Sequence, residues 1–272
     1  MSSAEDLVAL QRTLYASRNP TRRYLHCARR DWVRLEITNA AEISPVDQAL
    51  EVGPGSGVYL SSLAEVFDGV VAIDVEPGYL QAAAHLTDNS TSDSPISFVQ
   101  GDLISGVLGR ESIDLILCSE VIEHVEDSAS LIAAMAKTLK PQGTLILTTP
   151  QPYSPVELLG KIAFLPGILQ LLRLIYREPI EPTGHINVLS TAQLKAQFFA
   201  ADLVVVKEER LGFYLPVIAE FGGRWGQGLL AAIDRAIQNT WLQGLLWTQC
   251  FVLKKPGSPA PSGVRVCSDV SG

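Results

Sequence analysis

The sequence reads as an α/β chain built around one doubly wound sheet of mostly parallel strands, and three observations point there. A strand-like run, Leu50 to Val52, passes through the alternating glycines Gly53, Gly55 and Gly57 into a segment whose Leu60, Leu63, Ala64 and Phe67 recur at helical spacing. Short apolar runs then succeed one another along the chain, several ending in a carboxylate, as parallel strands do when their far ends carry a site. At 272 residues, with no internal repeat, the chain suits one α/β domain with embellishments better than two complete domains.

Taken in order, residues 1–46 read as a helical N-terminal cap with a local excess of arginine: Arg12, Arg18, Arg22, Arg23, Arg29, Arg30 and Arg34. Two explanations compete: a basic surface that attracts an acidic substrate or an anionic membrane, and solvated helix faces whose arginines pair with Asp31 and Glu36, which is the plainer reading. In the loop after the first strand, glycine tolerates unusual dihedrals and lets a ligand lie against the main chain. The free N–H groups that open the next helix favour a nearby anion. The spacing is not that of a dinucleotide loop, which would carry its third glycine where Val58 stands. Glu51, two residues before Gly53, would sit badly beside a pyrophosphate and suits a ligand with an ammonium group, as methionine has.

Val70 to Ile73 form a second run that ends at Asp74, where a parallel strand presents an acceptor pair to ribose hydroxyls. A third run, Ile96 to Val99, leads into Gln100-Gly101-Asp102-Leu103. The fourth, Ile113 to Cys118, leads into Ser119-Glu120-Val121-Ile122-Glu123-His124-Val125, and Leu139 to Gly143 form a turn before the fifth, Thr144 to Pro150. Singly, an aspartate at a strand end is a common helix cap and a glycine pair a common turn. Their order and spacing are what carry weight.

On these residues the chain resembles the class I S-adenosylmethionine-dependent methyltransferases, whose first motif is an acidic residue followed by Gly-x-Gly-x-Gly. Ser119 to Val125 is similar to a small-molecule (type 11) branch that includes the ubiquinone-biosynthesis methyltransferases. The resemblance covers residues 45–150 well and 184–255 loosely. It implies a Rossmann-like, seven-stranded sheet whose last strand inserts antiparallel between the fifth and sixth. It also implies S-adenosyl-L-methionine as cofactor, held among Glu51, Gly53, Pro54, Gly55, Gly57, Asp74, Val75, Asp102, Leu103, Ser119 and Glu120. Asp74 would meet the ribose, Asp102 the adenine amino group, and Leu103 would line the ring. In related enzymes the N-terminal helices fold over cofactor and substrate, which would bring Tyr15, Tyr24 or His26 near the site.

The sulfonium of such a cofactor already makes its methyl electrophilic, so the protein need only bind both reactants, align them and exclude water. For a hydroxyl acceptor a general base would help, and His124 and His185 are the candidates. An orienting hydrogen bond inside the motif is the rival role for His124; helix capping or loop closure is the rival for His185. His85 reads as solvated. Glu120 and Glu123 invite a metal, but two acidic residues on one turn with no second cluster more often face solvent or cap backbone groups, so no metal is assigned.

Residues 155–183 form an apolar insertion, interrupted by Lys161, Pro166-Gly167, Gln170 and Arg173. A spanning helix needs ~20 largely uninterrupted apolar residues, so two short helices are expected. They would serve as a lid over the substrate, as a peripheral membrane contact through 158–175, or as a pair packed on the core. Ser190 followed by Gln193 is a capping box that starts a helix with Leu194 and Phe198 on its buried face. Leu203 to Val206 and Thr248 to Leu253 are the sixth and seventh strands. Between them Phe213, Tyr214, Phe221, Trp225, Trp241 and Trp247, with a helical pattern around Leu229, Ile233 and Ile237, would complete a substrate pocket or simply pack the core. The methyltransferase domain is thus expected over 47–255, with a Pro-, Ser- and Gly-rich disordered tail over 256–272.

A net charge of −8 disfavours a nucleic-acid partner. Cys27, Cys118, Cys250 and Cys267 are too dispersed for a disulfide framework or a zinc site, and the polar, acidic N-terminus carries no secretory signal, which suits a reducing cytoplasm. The expected activity is methyl transfer to a small apolar or lipid-like acceptor, with O-methylation preferred and oligomeric state left open. The competing readings are a nicotinamide-dependent oxidoreductase and a non-catalytic cofactor-binding module at a membrane surface. Loss of Glu51 or Asp74 would mark the second, and both residues are present.

Overall fold

The computed structural model describes Tyr15 and residues 20–43, 47–87, 94–155, 157–158, 186–215, 218 and 221–257. The chain enters through α1 (Pro20–Ile43), where proline at the first position already has a helical φ. Leu25, Arg29, Trp32, Val33, Glu36, Ile37 and Ala40 form its buried stripe, at the three-and-four spacing of one helix face. There follow β1 (Gln48–Val52), α2 (Leu60–Ala64), β2 (Gly69–Asp74), α3 (Pro77–Thr87), β3 (Ile96–Gln100) and β4 (Ile113–Ser119). Next come α4 (Ser128–Thr138), whose first turn is capped by Asp127 accepting from the Ser130 amide at 2.9 Å, and β5 (Leu139–Pro150). The chain continues through α5 (Thr191–Ala200), β6 (Val204–Leu211), α6 (Gly223–Ile237) and β7 (Thr248–Lys254). The expected capping box opens α5: the Ser190 hydroxyl accepts from the Gln193 amide while the Gln193 side chain accepts from the Ser190 amide.

The seven strands of the described residues form one Rossmann-like sheet in the order β3-β2-β1-β4-β5-β7-β6. Among these strands only β7 runs against the others, between β5 and β6. Leu50 lies level with Val71 on one side and Ile116 on the other, so the centre of the sheet is parallel. One face carries Leu50, Val52, Ile116, Cys118, Leu145 and Leu147 against Leu131, Ile132 and Met135 of α4 and Leu194 and Phe198 of α5. The other carries Ala49, Leu115, Leu117 and Ile146 against Trp32, Val33 and Ile37 of α1 and Leu60 and Leu63 of α2. Burial on both faces is why these strands read as continuous apolar runs rather than alternating ones. Each such leucine or isoleucine contributes about 1.5–3 kcal/mol relative to exposure.

The outer elements depart from the sequence reading. The sixth strand, expected over 203–206, continues to Leu211 through four charged residues, because each has a partner. Lys207 Nζ lies 2.8 Å from Glu36 Oε1 and 3.1 Å from Glu209 Oε1, Lys195 Nζ lies 2.6 Å from Glu208, and Arg210 donates to Thr191 Oγ1 at 2.8 Å. Charges of this kind also blunt an edge strand. Glu36 is therefore held by a lysine of β6 rather than by the arginines of α1; of the expected pairings there, Arg30 with Asp31 forms, at 2.8 Å. The buried face of α6 is Gly226, Leu230, Asp234 and Ile237, not Leu229 and Ile233. Asp234 can turn inward because its Oδ2 accepts from Tyr24 Oη and from the Gly212 amide, each at 3.1 Å.

Of the aromatics between β6 and β7, Tyr214 is buried, but Phe221, Trp225 and Trp241 are exposed and so do not pack the core; Trp225 and Leu229 line an open surface concavity with Arg224 and Gly228. The expected insertion lies outside the described residues except for Pro155, Glu157 and Leu158, and the tail except for 256–257. No helix among the described residues is long and apolar enough to cross a membrane.

Candidate cofactor and active site

The parallel strands β1, β2, β4 and β5 end along one rim, and the strand order reverses at β1, with β2 on one side and β4 on the other. In an open α/β sheet that reversal leaves a crevice between loops that turn opposite ways. The glycine loop fills its edge. Gly53, Gly55 and Gly57 all have positive φ (64°, 56° and 76°), a region that a side chain disfavours. At Gly53 a Cβ would come within 2.5 Å of Val121 Cγ2, so this glycine lets the loop close on the segment after β4. At Gly55 a Cβ would meet nothing within 4 Å, so here the backbone faces open space.

Glu51, at the base of this loop, is 2% exposed and its Oε2 has no hydrogen-bond partner. Burial holds its carboxyl well above the usual range, with no compensating charge. An orphaned carboxyl under an open glycine loop is an arrangement that a cationic ligand completes. At the end of β2, Asp74 is half-buried, which raises its pKa, and its Oδ1 accepts from the Glu76 amide at 2.9 Å; Val75 beside it is 65% exposed. After β3, Asp102 caps a 3₁₀ turn, Leu103–Ser105, by accepting from the Ile104 amide at 2.9 Å. Leu103 turns into the core at 4% exposure, against the expectation that it lines a ligand ring, and Ile104 is the apolar side chain left at the surface.

The loop after β4 is held by a polar chain. Ser119 Oγ lies 2.9 Å from Thr148 Oγ1, Thr148 donates to Glu120 Oε1 at 3.1 Å, and Arg29 of α1 meets Glu120 Oε2 at 2.7 Å. Glu120 itself stands at a φ of 57°, unusual for a residue with a side chain, and its amide donates to Thr148 O at 2.9 Å. Burial would lower the Arg29 pKa, but Glu120 chiefly, with Tyr59 and Tyr15, more than offsets this and raises it. Ser119 and Glu120 were expected toward the cofactor, yet both oxygens of Glu120 are engaged within the protein.

Glu123 is fully buried rather than solvent-facing. Its Oε2 accepts from Thr149 Oγ1 at 3.0 Å, and burial first, then Glu120, pushes its carboxyl well up. Its carbonyl accepts from the amides of Ile186 and Asn187, each at 3.0 Å, which ties the chain returning toward α5 to this loop. His124 is 44% exposed, with Nε2 4.0 Å from Glu123 Oε1, too far for a hydrogen bond. His185 lies outside the described residues. Among the described residues no group of three His, Cys, Asp or Glu side chains converges on an ion. Of the aromatic candidates on the N-terminal side, Tyr24 bonds Asp234 of α6, while Tyr15 and His26 stack edge to face, 5.9 Å apart, with His26 also 5.8 Å from Trp247.

Sequence reasoning passed over Arg29, Tyr59, Thr148 and Thr149. A signal existed for the first: Arg29 falls in step with Leu25, Val33 and Ile37, on the stripe that α1 buries. The two threonines follow the apolar run of β5 and resemble ordinary strand residues until β4 is set beside them.

Residues 50–147 match a family model described as a methyltransferase domain. A ubiquinone biosynthesis O-methyltransferase of Xanthomonas campestris pv. campestris is 32% identical over 173 residues, which are 61% of this chain and 70% of the relative. The chain belongs to the class I S-adenosylmethionine-dependent methyltransferases. Its fold is shared with the N-methyltransferase NodS of Bradyrhizobium japonicum, solved with S-adenosyl-L-homocysteine, at a TM-score of 0.55 and 17% identity over 93% of this methyltransferase and 96% of NodS. The [4+2]-cyclase SpnF superposes at a TM-score of 0.57 and 16% identity over 84% of this methyltransferase and 81% of SpnF. At such identities the likeness speaks for the fold alone. The cofactor of this methyltransferase is S-adenosyl-L-methionine.

Proposed function

We propose that the protein transfers the methyl group of S-adenosyl-L-methionine to a hydroxyl of a small, apolar, lipid-like acceptor, within a catalytic domain over 47–255 that the helical cap over 1–46 covers. The observation that carries the donor site is the orphaned Glu51 Oε2 at the end of β1, where the chain turns into the glycine loop whose Gly55 has an open side that would admit a ligand against the main chain. Glu51 would accept from the ammonium of the methionine moiety, and Gly53, Pro54, Gly55 and Gly57 would cradle it. Asp74 and Val75 would hold the ribose, and Asp102 the adenine amino group, with Ile104 rather than Leu103 against the ring.

When bound, the cofactor supplies an electrophilic methyl on sulfur. The residues of the chain have the remaining tasks. Ser119, Thr148, Glu120 and Arg29 fix the loop after β4 in one conformation, so that the residues just beyond Glu120 are in place before the acceptor arrives. His124, half-exposed at the rim, would take the acceptor's proton, and the buried Glu123 beside it would be neutral. His185 is the second candidate for that role. The relatives' name, ubiquinone biosynthesis O-methyltransferase, supports a hydroxyl on an apolar acceptor, as does the apolar composition of 158–175, which also suits a membrane contact. Incubating apolar extracts with the enzyme and a trideuteromethyl donor, followed by mass spectrometry, tests the reading. It expects one lipid-soluble product that carries the label on oxygen, absent with His124→Ala in place of the parent; label on nitrogen or carbon, or in a polar product, would replace it.

A further inference from the structure

We infer that the outward face of α6 docks on an anionic lipid bilayer. The inference rests on the exposed side chains of that helix and not on the identity of the acceptor. Trp225 and Leu229, four residues apart on the helix, are 91% and 51% exposed, Ala232 and Ala236 extend the same stripe, and Phe221, 66% exposed, lies just before the glycine turn that opens the helix. Trp241 (88%) and Leu245 (36%) lie just beyond, on the 3₁₀ turn Trp241–Leu245. The opposite face of α6 is already occupied, with Leu230 packed against Leu25 and Tyr214. The outward stripe is therefore not the core face of the helix misplaced. Exposed apolar surface of this extent marks an interaction site.

Charge selects the occupant. From Phe221 to Trp247 the charged residues are Arg224, Asp234 and Arg235. Asp234 is 2% exposed and bonded inside the protein, which leaves two exposed arginines and no exposed carboxylate on a chain of net charge −8. Eleven residues apart, the arginines share one flank of the stripe, about three turns from each other. An apolar stripe rich in tryptophan, with arginines along its flank, is the pattern of a helix lying in a membrane interface: the rings enter the acyl boundary and the guanidinium groups reach the phosphates. A second copy would offer these arginines no carboxylate on the same face. The placement is also functional. The segment that carries α6 leaves β6 at Leu211 and rejoins the sheet at Thr248, level with Pro150, so it stands at the rim where the parallel strands end.

Full-length protein should co-sediment with vesicles of equimolar phosphatidylglycerol and phosphatidylcholine more than with phosphatidylcholine alone, and the preference should shrink at high salt. Trp225→Ser with Leu229→Ser should lower the partition coefficient by about tenfold. Arg224→Gln with Arg235→Gln should abolish the preference for anionic vesicles. Thermal midpoints and adenosylhomocysteine affinity like the parent's would establish that these surface variants fold. Acrylamide should quench Trp225, isolated by comparison with Trp225→Phe, in free protein but not in the presence of anionic vesicles. Equal sedimentation with both vesicle types, or parent-like binding by the stripe variant, would overturn the inference. So would Trp225 shielding without lipid that grows with protein concentration, which would assign the face to a second copy.

Discussion

Glu51 is asked to be a carboxylate where the protein makes charge expensive. Its folded pKa is raised above the ordinary 4.5 by burial, so the folded state binds the proton more tightly than the unfolded one. Stability from this group is therefore full below pH 4.5 and is lost as pH rises through the raised value. Glu51→Gln, which cannot ionise, should melt above the ligand-free parent at about pH 8, with the gap closing toward about pH 4. The same change should weaken the donor, and the parent's affinity for adenosylhomocysteine, measured by calorimetry, should climb with pH while the variant's stays flat. A variant that melts below the parent at the alkaline end would contradict a cost dominated by burial. The places of Glu51 and Gly55 around the first turn and of Asp74 at a strand end were legible because their signal is local: a turn with positive φ favours glycine, and an apolar run that stops at a charged residue marks where a strand leaves the core. Leu103 was not, because a one-residue difference between facing the core and facing the rim is decided by the 3₁₀ turn that Asp102 caps.

Among elements, α1 matters most to the site, through the ion pair of Arg29 with Glu120. Removing one partner of a buried pair strands the other charge, at a cost of about 3–5 kcal/mol, whereas replacing both by neutral groups costs far less. Arg29→Met should accordingly lower the urea midpoint sharply, and Arg29→Met with Glu120→Gln should recover most of the loss. If the double variant is as unstable as the single one, the pair does not tie α1 to the loop after β4. That tie was hidden in the sequence because the arginines of 1–46 look alike, and only the register of α1 on the sheet singles one out. The same holds for α6, where the apolar pattern suggested Leu229 and Ile233 as the buried side. A buried Asp234 has no apolar signature, and its partners, Tyr24 and Gly212, are distant in sequence or on another element. For β6 the charged half was unreadable as strand until Glu36 and Thr191 were beside it.

For the whole molecule, the sheet order was legible by resemblance, since alternating strands and helices admit few right-handed arrangements. A ligand that binds only the folded state at a hundred times its Kd adds about 2.7 kcal/mol. For a domain of this size that corresponds to a rise of roughly 5–10 °C in melting temperature. Adenosylhomocysteine should produce such a rise and NADH at equal concentration none; the reverse pattern would reinstate a nicotinamide site. The place of β7 has its own consequence for synthesis. Of the described strands the last made is an interior one, so until it has emerged from the ribosome β5 ends the sheet with bare amides and carbonyls, and β6 has no neighbour to join. Nascent protein must pass its most adhesive moment before residues 248–254 slide into the gap and pair with β5 and β6 at once.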